Sequence, residues 1–280
     1  IDAIAELTTQ VDEADLELRC FGLDGDYDEA DALVRLRPEL IDRRPDASHA
    51  LTEEMSAARQ LWEMYAAWAH KGPRRAELLY LPVPGGLETP FLVGVISGPL
   101  AFGYLRRETG QHRFRLRRGG SDGPGFSVVV RVQVYPVQLE GEAKLAPKEV
   151  VGQAYALKQT VEEPGGPRRI RSAVMAHTAD GQPFGLQNDR DLSENRALAR
   201  RLVAAVDDFP DGGRPATDDP LVRSYEFAAQ ALIKDNATGF SSGRARDIMN
   251  GELDEILRQR VQQIPLSARP SAALPQGDDA

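Results

Sequence analysis

Apolar residues recur along this chain with two different periods, and the changes of period mark out its elements. From Thr52 onward, Met55, Ala58, Trp62, Tyr65 and Ala69 stand three or four residues apart, the stripe of an amphipathic helix. Thr52 is a capping-type residue, Glu53 and Glu54 suit the positive end of the helix dipole, and Gly72-Pro73 ends the run. The aromatic residues of this stripe are read as core. Ahead of it, Ile4, Leu7, Val11, Leu16 and Leu18 follow a broken helical period over residues 1–20, which predicts a short arm and not a domain. The period then becomes two. Strand-like runs at 77–83 and 91–97 flank the breakers Pro84-Gly85-Gly86. In the clearest run, Phe126, Val128, Val130, Val132 and Val134 take one face while Arg131 and Gln133 take the other. That is the alternation of a half-buried antiparallel strand, which Pro136 is expected to end.

Past a linker near 140–147 the pattern restarts. Strands are predicted at 154–160 and 172–177, on either side of a breaker-rich segment that contains Pro164-Gly165-Gly166-Pro167. A helix follows from Asp191, where Asp191 and Glu194 have capping-box spacing and Leu198, Leu202, Ala205 and Phe209 form a stripe. Residues 210–220 read as a linker. A strand at 223–227, a turn at 234–239 and a helix through Leu253, Ile256, Leu257, Val261 and Ile264 complete the ordered chain. The segment from Pro265 is expected to be disordered. The fold class is α+β, divided into a short acidic helical arm at 1–24, a β-rich central domain at 25–147, a β/α domain at 148–210, a linker at 211–220, a C-terminal unit at 221–264 that packs on the central domain, and a tail at 265–280.

Composition narrows the function classes. The 280 residues, 41% of them hydrophobic, are enough for real cores. No apolar run approaches the roughly 20 residues that span a bilayer, and the first residues are acidic, unlike a signal peptide, so a cytoplasmic protein without membrane partners is expected. The single cysteine, Cys20, can form no internal disulfide and reads as a small buried apolar residue. The formal net charge of -9 is unevenly spread. Residues 1–31 hold eleven carboxylates against Arg19, which leaves the rest of the chain near neutrality and makes its basic clusters visible. Arg113, Arg115, Arg117 and Arg118 form one cluster and Arg168, Arg169 and Arg171 another. Both could meet phosphates. There is no GxxxxGK, HExxH, GxSxG or paired-cysteine motif, and His49, His70, His112 and His177 lie too far apart for a local metal site. Neither metal nor cofactor is implied.

A series of collinear segments carries more. Gly25 to Ala32 (GDYDEADA), Trp62 to Gly72 (WEMYAAWAHKG) and Gly98 to Phe114 (GPLAFGYLRRETGQHRF) are followed by Ser172-Ala173-Val174 and Gln187-Asn188-Asp189-Arg190. Val222 to Tyr225 (VRSY), Ile233 to Gly239 (IKDNATG) and Asn250 to Leu257 (NGELDEIL) complete the series. Together these segments resemble the class-1 bacterial peptide chain release factors, of the kind that reads UGA and UAA. The 98–114 segment is close to that family's GPxAYGxLxxExGxHRL signature. The resemblance implies a central decoding-type domain closed by the C-terminal unit and an inserted hydrolytic-type domain. It also implies that the family's N-terminal helical domain is largely absent.

The departures from the family pattern are equally informative. Family members carry a Gly-Gly-Gln tripeptide whose glutamine backbone N–H and side chain serve peptidyl-tRNA hydrolysis, whereas here Gly165-Gly166 is followed by Pro167, which has no N–H. The Ser-Pro-Phe that reads UGA is replaced by Arg115 to Gly125 (RLRRGGSDGPG), rich in glycine and arginine, where fixed base-edge contacts are not provided. No catalytic residue is therefore assigned. The RNA-binding set implied by the resemblance and the basic clusters is Arg113, Arg115, Arg117, Arg118, Arg168, Arg169, Arg171, Gln187, Asn188 and Arg190. The expected function is that of a noncatalytic, ribosome-binding translation protein acting in rescue, stalling or regulation. Two alternatives stay open: a protein-interaction module that reuses the fold off the ribosome through residues 1–31, and ribosome-dependent hydrolysis by a variant site.

Overall fold

The structure, a computed structural model, describes residues 27–40, 50–80, 91–117, 125–138, 160–161, 169–170, 172–188, 191–209, 220–227 and 231–263. The predicted arm at 1–24, Cys20, the 210–219 part of the linker and the tail from Pro265 lie outside these residues.

Alternating sequence builds one large sheet. Its strands in chain order are β1 (Asp31–Leu40), β2 (Arg75–Tyr80), β3 (Leu92–Ser97), β4 (Gly110–Arg117), β5 (Gly125–Val137), β10 (Leu221–Glu226), β11 (Leu232–Asp235) and β12 (Ser241–Ser242). They lie side by side in the order β12-β11-β10-β4-β5-β1-β3-β2. Every neighbouring pair is antiparallel except β10 and β4, which run parallel. The C-terminal unit is thus part of the same sheet, brought in by β10. Several strands were not anticipated, β1 and β4 the longest of them. β1 alternates Ala32, Val34 and Leu36 against Leu33, Arg35 and Arg37, a pattern obscured because both of its faces are partly buried. β4 carries so many arginines that 115–117 reads as loop, yet Arg115, Leu116 and Arg117 pair with Ser127, Phe126 and Gly125. Pro136 does not end β5. β4 accompanies β5 only as far as Val132, so Pro136, opposite Ala32, has β1 alone beside it, and a proline without an N–H is tolerated at such an edge.

The predicted aromatic helix is α1 (Ala50–Lys71), which starts two residues before Thr52 and stops at Gly72. Its stripe packs on one face of the sheet. Leu61, Trp62, Tyr65 and Trp68 share a core with Val34, Leu36, Val130, Val132, Phe114, Tyr225 and Ile233. Gly94 of β3 permits this approach, since a Cβ there would stand 2.3 Å from the Trp62 ring. Short helices α2 (Ala101–Leu105), α4 (Ala245–Met249) and α5 (Asp254–Gln263) close the same core with Ala101, Leu105, Ile248, Ile256 and Leu257. Gly251, at φ +94°, makes the turn between α4 and α5 where a Cβ would strike the backbone of Trp68 at 2.5 Å.

A second unit covers part of the opposite face. Strands β8 (Ser172–His177) and β9 (Pro183–Asn188) form an antiparallel hairpin, and helix α3 (Leu192–Asp208) packs on it. The predicted capping box is present: the Asp191 carboxylate accepts from the Glu194 N–H at 2.8 Å, and Glu194 accepts from the Asp191 N–H at 3.3 Å. Val174, Phe184, Leu186, Leu202 and Val203 join Leu33, Val93, Val95 and Tyr135 of the sheet in a second core. Arg35 is buried in this junction, its guanidinium 3.8 Å from the Phe91 ring centre and 5.7 Å from that of Phe184. No described helix is long and apolar enough to cross a membrane.

Candidate functional site

The parity of β4 divides its residues between two environments. His112 and Phe114 point into the α1 core, whereas Arg113, Arg115 and Arg117 share the other face. Neighbouring strands obey the same parity.

On the buried side, charge is concentrated where hydrophobic residues would be expected. The Glu108 carboxylate accepts from Arg223 Nη2 at 2.8 Å and from the Tyr65 hydroxyl at 2.9 Å. Asp235 accepts from Arg260 Nη1 at 2.9 Å and from Arg223 Nη2 at 3.3 Å, and its other oxygen takes the N–H and hydroxyl of Thr238 at 3.0 Å each. Two carboxylates thus face two guanidiniums, and none of the four side chains is more than 2% exposed. Burial by itself would raise both acids, but Arg223 and Arg260 outweigh it and hold both below the usual carboxylate range. Arg223 in turn resists the downward pull of burial, because Glu108, Tyr225 and Asp235 raise it.

His112 belongs to the same cluster. Its Nε2 lies 2.9 Å from the Glu108 carbonyl, which can only accept, so Nε2 carries the proton and Nδ1 accepts from the Tyr225 hydroxyl at 3.2 Å. Burial, reinforced by Arg223 and Arg260 against the pull of Glu108, lowers its pKa to about 4, and the ring is neutral at pH 7. Tyr225 stacks on Phe114 with centroids 4.3 Å apart, and burial raises its pKa. Each acid or base here has a fixed partner within the protein, and the cluster ties the 98–114 segment to β10, β11 and α5. It is a structural junction. Sequence reading missed it, although a signal existed: Arg223 and Asp235 share the parity of the apolar Tyr225 and Ile233, and Arg260 falls on the stripe of Ile256 and Leu257.

The predicted RNA-binding residues scatter. Arg113 is half-buried on the open face, and Arg115 and Arg117 are exposed beyond it. Arg115 pairs with Glu226 at 3.3 Å. Gln187 is half-buried on β9, opposite Ala173, and Asn188 pairs in register with Ser172. Arg169 lies in β7 (Arg169–Ile170), which pairs with β6 (Thr160–Val161); these two strands bracket the glycine-rich segment. Gly165, Gly166 and Pro167 lie outside the described residues, as do Arg118, Arg168, Arg171 and Arg190 and most of the strand predicted at 154–160. Only Arg113, Arg115 and Arg117 are brought together with described side chains.

The architecture is a mixed sheet closed by its own C-terminal strands, with a hairpin-and-helix unit packed on its outer face. The structure superposes on RF2 of Thermus thermophilus with a TM-score of 0.68, at 22% identity, over 94% of this chain and 75% of that one. The peptide chain release factor 2 of Kineococcus radiotolerans is 27% identical over 285 residues, covering 93% of this chain and 73% of the relative. That of Petrotoga mobilis is 25% identical over 267 residues, 85% of this chain and 67% of the relative. No protein-family model matches the chain. Over most of its length the chain is thus related to peptide chain release factor 2, and its sequence contains neither Gly-Gly-Gln nor Ser-Pro-Phe.

Proposed function

We propose that this protein is a noncatalytic member of the release factor family that binds the ribosome in the cytoplasm and acts there in rescue, stalling or regulation. The observation that carries the reading is a contrast within the sequence. The segments that build the sheet and its charged junction persist, while the tripeptide on which hydrolysis depends is interrupted by Pro167. A proline at that position offers no backbone N–H to a developing oxyanion and no amide side chain to position water. Arg113, Arg115 and Arg117, exposed or half-buried on β4, offer phosphate contacts that need no base recognition.

Two measurements test this. The full-length chain, sedimented with purified ribosomes at low salt, is expected in the ribosomal pellet; a folded chain that stays in the supernatant refutes ribosome binding. Incubated with ribosomes that hold a labelled peptidyl-tRNA, it is expected to release no peptide above buffer, and codon-independent release would refute the noncatalytic assignment.

A further inference from the structure

The outer face of the sheet is only partly covered. β8, β9 and α3 bury its end at Leu33, Val93, Val95 and Tyr135. The remainder, across β1, β5, β4, β10 and β11, carries exposed Arg115, Arg117 and Lys234 and half-buried Arg37, Arg113 and Arg131. Cross-strand register places Arg37 opposite Arg131, Arg131 opposite Gln111, Arg115 opposite both Ser127 and Glu226, and Lys234 opposite Ser224. Arg37, Arg131, Arg113, Arg115, Arg117 and Lys234 therefore share one surface, where Glu39 pairs with Arg37 and Glu226 with Arg115. With strands about 4.8 Å apart and a rise of about 3.4 Å per residue, this basic area measures roughly 19 Å across the strands by about 14 Å along β4.

We infer that this open sheet face is a docking surface for double-helical RNA, engaged through its phosphates. Three features select that partner. The surface brings six cationic side chains together, and Glu39 and Glu226 on it form pairs with Arg37 and Arg115 at 3.3 Å each. Such pairs contribute about 0–1 kcal/mol and exchange readily for phosphate. It presents no aromatic side chain among its described residues: Phe114, Phe126 and Tyr225 turn to the core, and Tyr135 lies under the second unit. Unstacked bases of a single strand would find no platform there. It is also a sheet face with no projecting helix to enter a B-form major groove, whereas the wide, shallow minor groove of an A-form helix, edged by phosphates and 2′-hydroxyls, admits a flat surface. The inference extends the ribosome-binding reading by naming the chemistry that would be met, and it adds Arg37, Arg131 and Lys234 to the arginines of β4.

The test uses the full chain and an RNA duplex of about 16 base pairs, alongside a single-stranded RNA and a DNA duplex of the same length. Wild type is expected to prefer the RNA duplex over both. The double variant Arg37→Glu/Arg131→Glu should weaken duplex binding at least tenfold and reduce the slope of log K against log salt by about 1 per lost phosphate contact. Arg115→Glu/Arg117→Glu should act likewise, and Lys234→Glu to a smaller degree. The control Arg196→Glu/Arg200→Glu makes the same charge change on the exposed side of α3 and should leave binding within twofold. Unchanged affinity in both sheet variants, each with unaltered melting, overturns the inference. So does equal loss in the α3 control, which would mean net charge alone is sensed, or equal binding of single strands or DNA. Ribosome sedimentation separates the two proposals: if wild type fails to pellet yet binds duplex, the ribosomal reading falls and this one stands. If wild type pellets yet shows no preference for the duplex, the ribosomal reading stands and this one falls.

Discussion

The two faces of β4 use the same kinds of residue for opposite ends. Inward, Glu108, Arg223, Asp235 and Arg260 make a closed, neutral set, and His112 is held uncharged between a carbonyl and a tyrosine hydroxyl. Outward, Arg113, Arg115 and Arg117 stand on a surface with an excess of positive charge. One residue of register separates His112 from Arg113. A family signature that looks like one functional unit in the sequence is therefore two things in space, a fastening between the C-terminal strands and the sheet and a cationic surface behind it.

Mutations and pH can break this comparison in order of effect. Glu108→Ala leaves two buried guanidiniums short of an acceptor, and should cost about 3–5 kcal/mol in chemical denaturation. A loss below 1 kcal/mol would show that the inner set is not a junction. Acid should attack the same face next. His112 binds its proton only near pH 4 in the folded chain but near its ordinary 6.5 when unfolded, so the unfolded state takes up a proton first. Stability is then fully present above about pH 6.5 and falls as pH drops toward 4, by roughly 3 kcal/mol. Glu108 and Asp235, also held low, add to the loss in the same direction below their ordinary values. Denaturant midpoints at pH 7, 5.5 and 4.5 measure this, and a flat profile would contradict the neutral histidine.

Gly94→Ala should cost about 1–3 kcal/mol, read as a lowered melting temperature, because its Cβ meets the buried Trp62 ring. Arg115→Ala on the outer face marks the small end. Its pair with Glu226 is exposed, and the change should shift stability by no more than about 0.5 kcal/mol. A larger loss would mean the outer arginines are structural too, and the contrast between the faces would fail.

Much of the fold was legible. The α1 stripe and the alternation of 126–134 are strong because each has a single wet face, and the Asp191–Glu194 box is a purely local device that needs no tertiary partner. What stayed hidden had tertiary causes. β1 is covered on both faces along its first half, by α1 on one side and the second unit on the other, so Ala32 to Leu36 show no simple alternation. The arginines of β4 imitate a loop because its outer face is solvated and its inner face carries a histidine. The basic cluster at Arg113 to Arg117 and the polar face of Arg131 were visible, but Arg37 and Lys234 could not be set beside them, since they come from strands distant in sequence.

By itself the sequence determined kinship, the periodic elements and the absence of a Gly-Gly-Gln tripeptide, because each is a matter of residue identity and local spacing. Tertiary structure alone decided which charges are fasteners and which face water. An isolated Arg223 and an isolated Arg115 are chemically identical, and only the packing of α1 and α5 against one side of the sheet removes the solvent from the first and leaves it on the second.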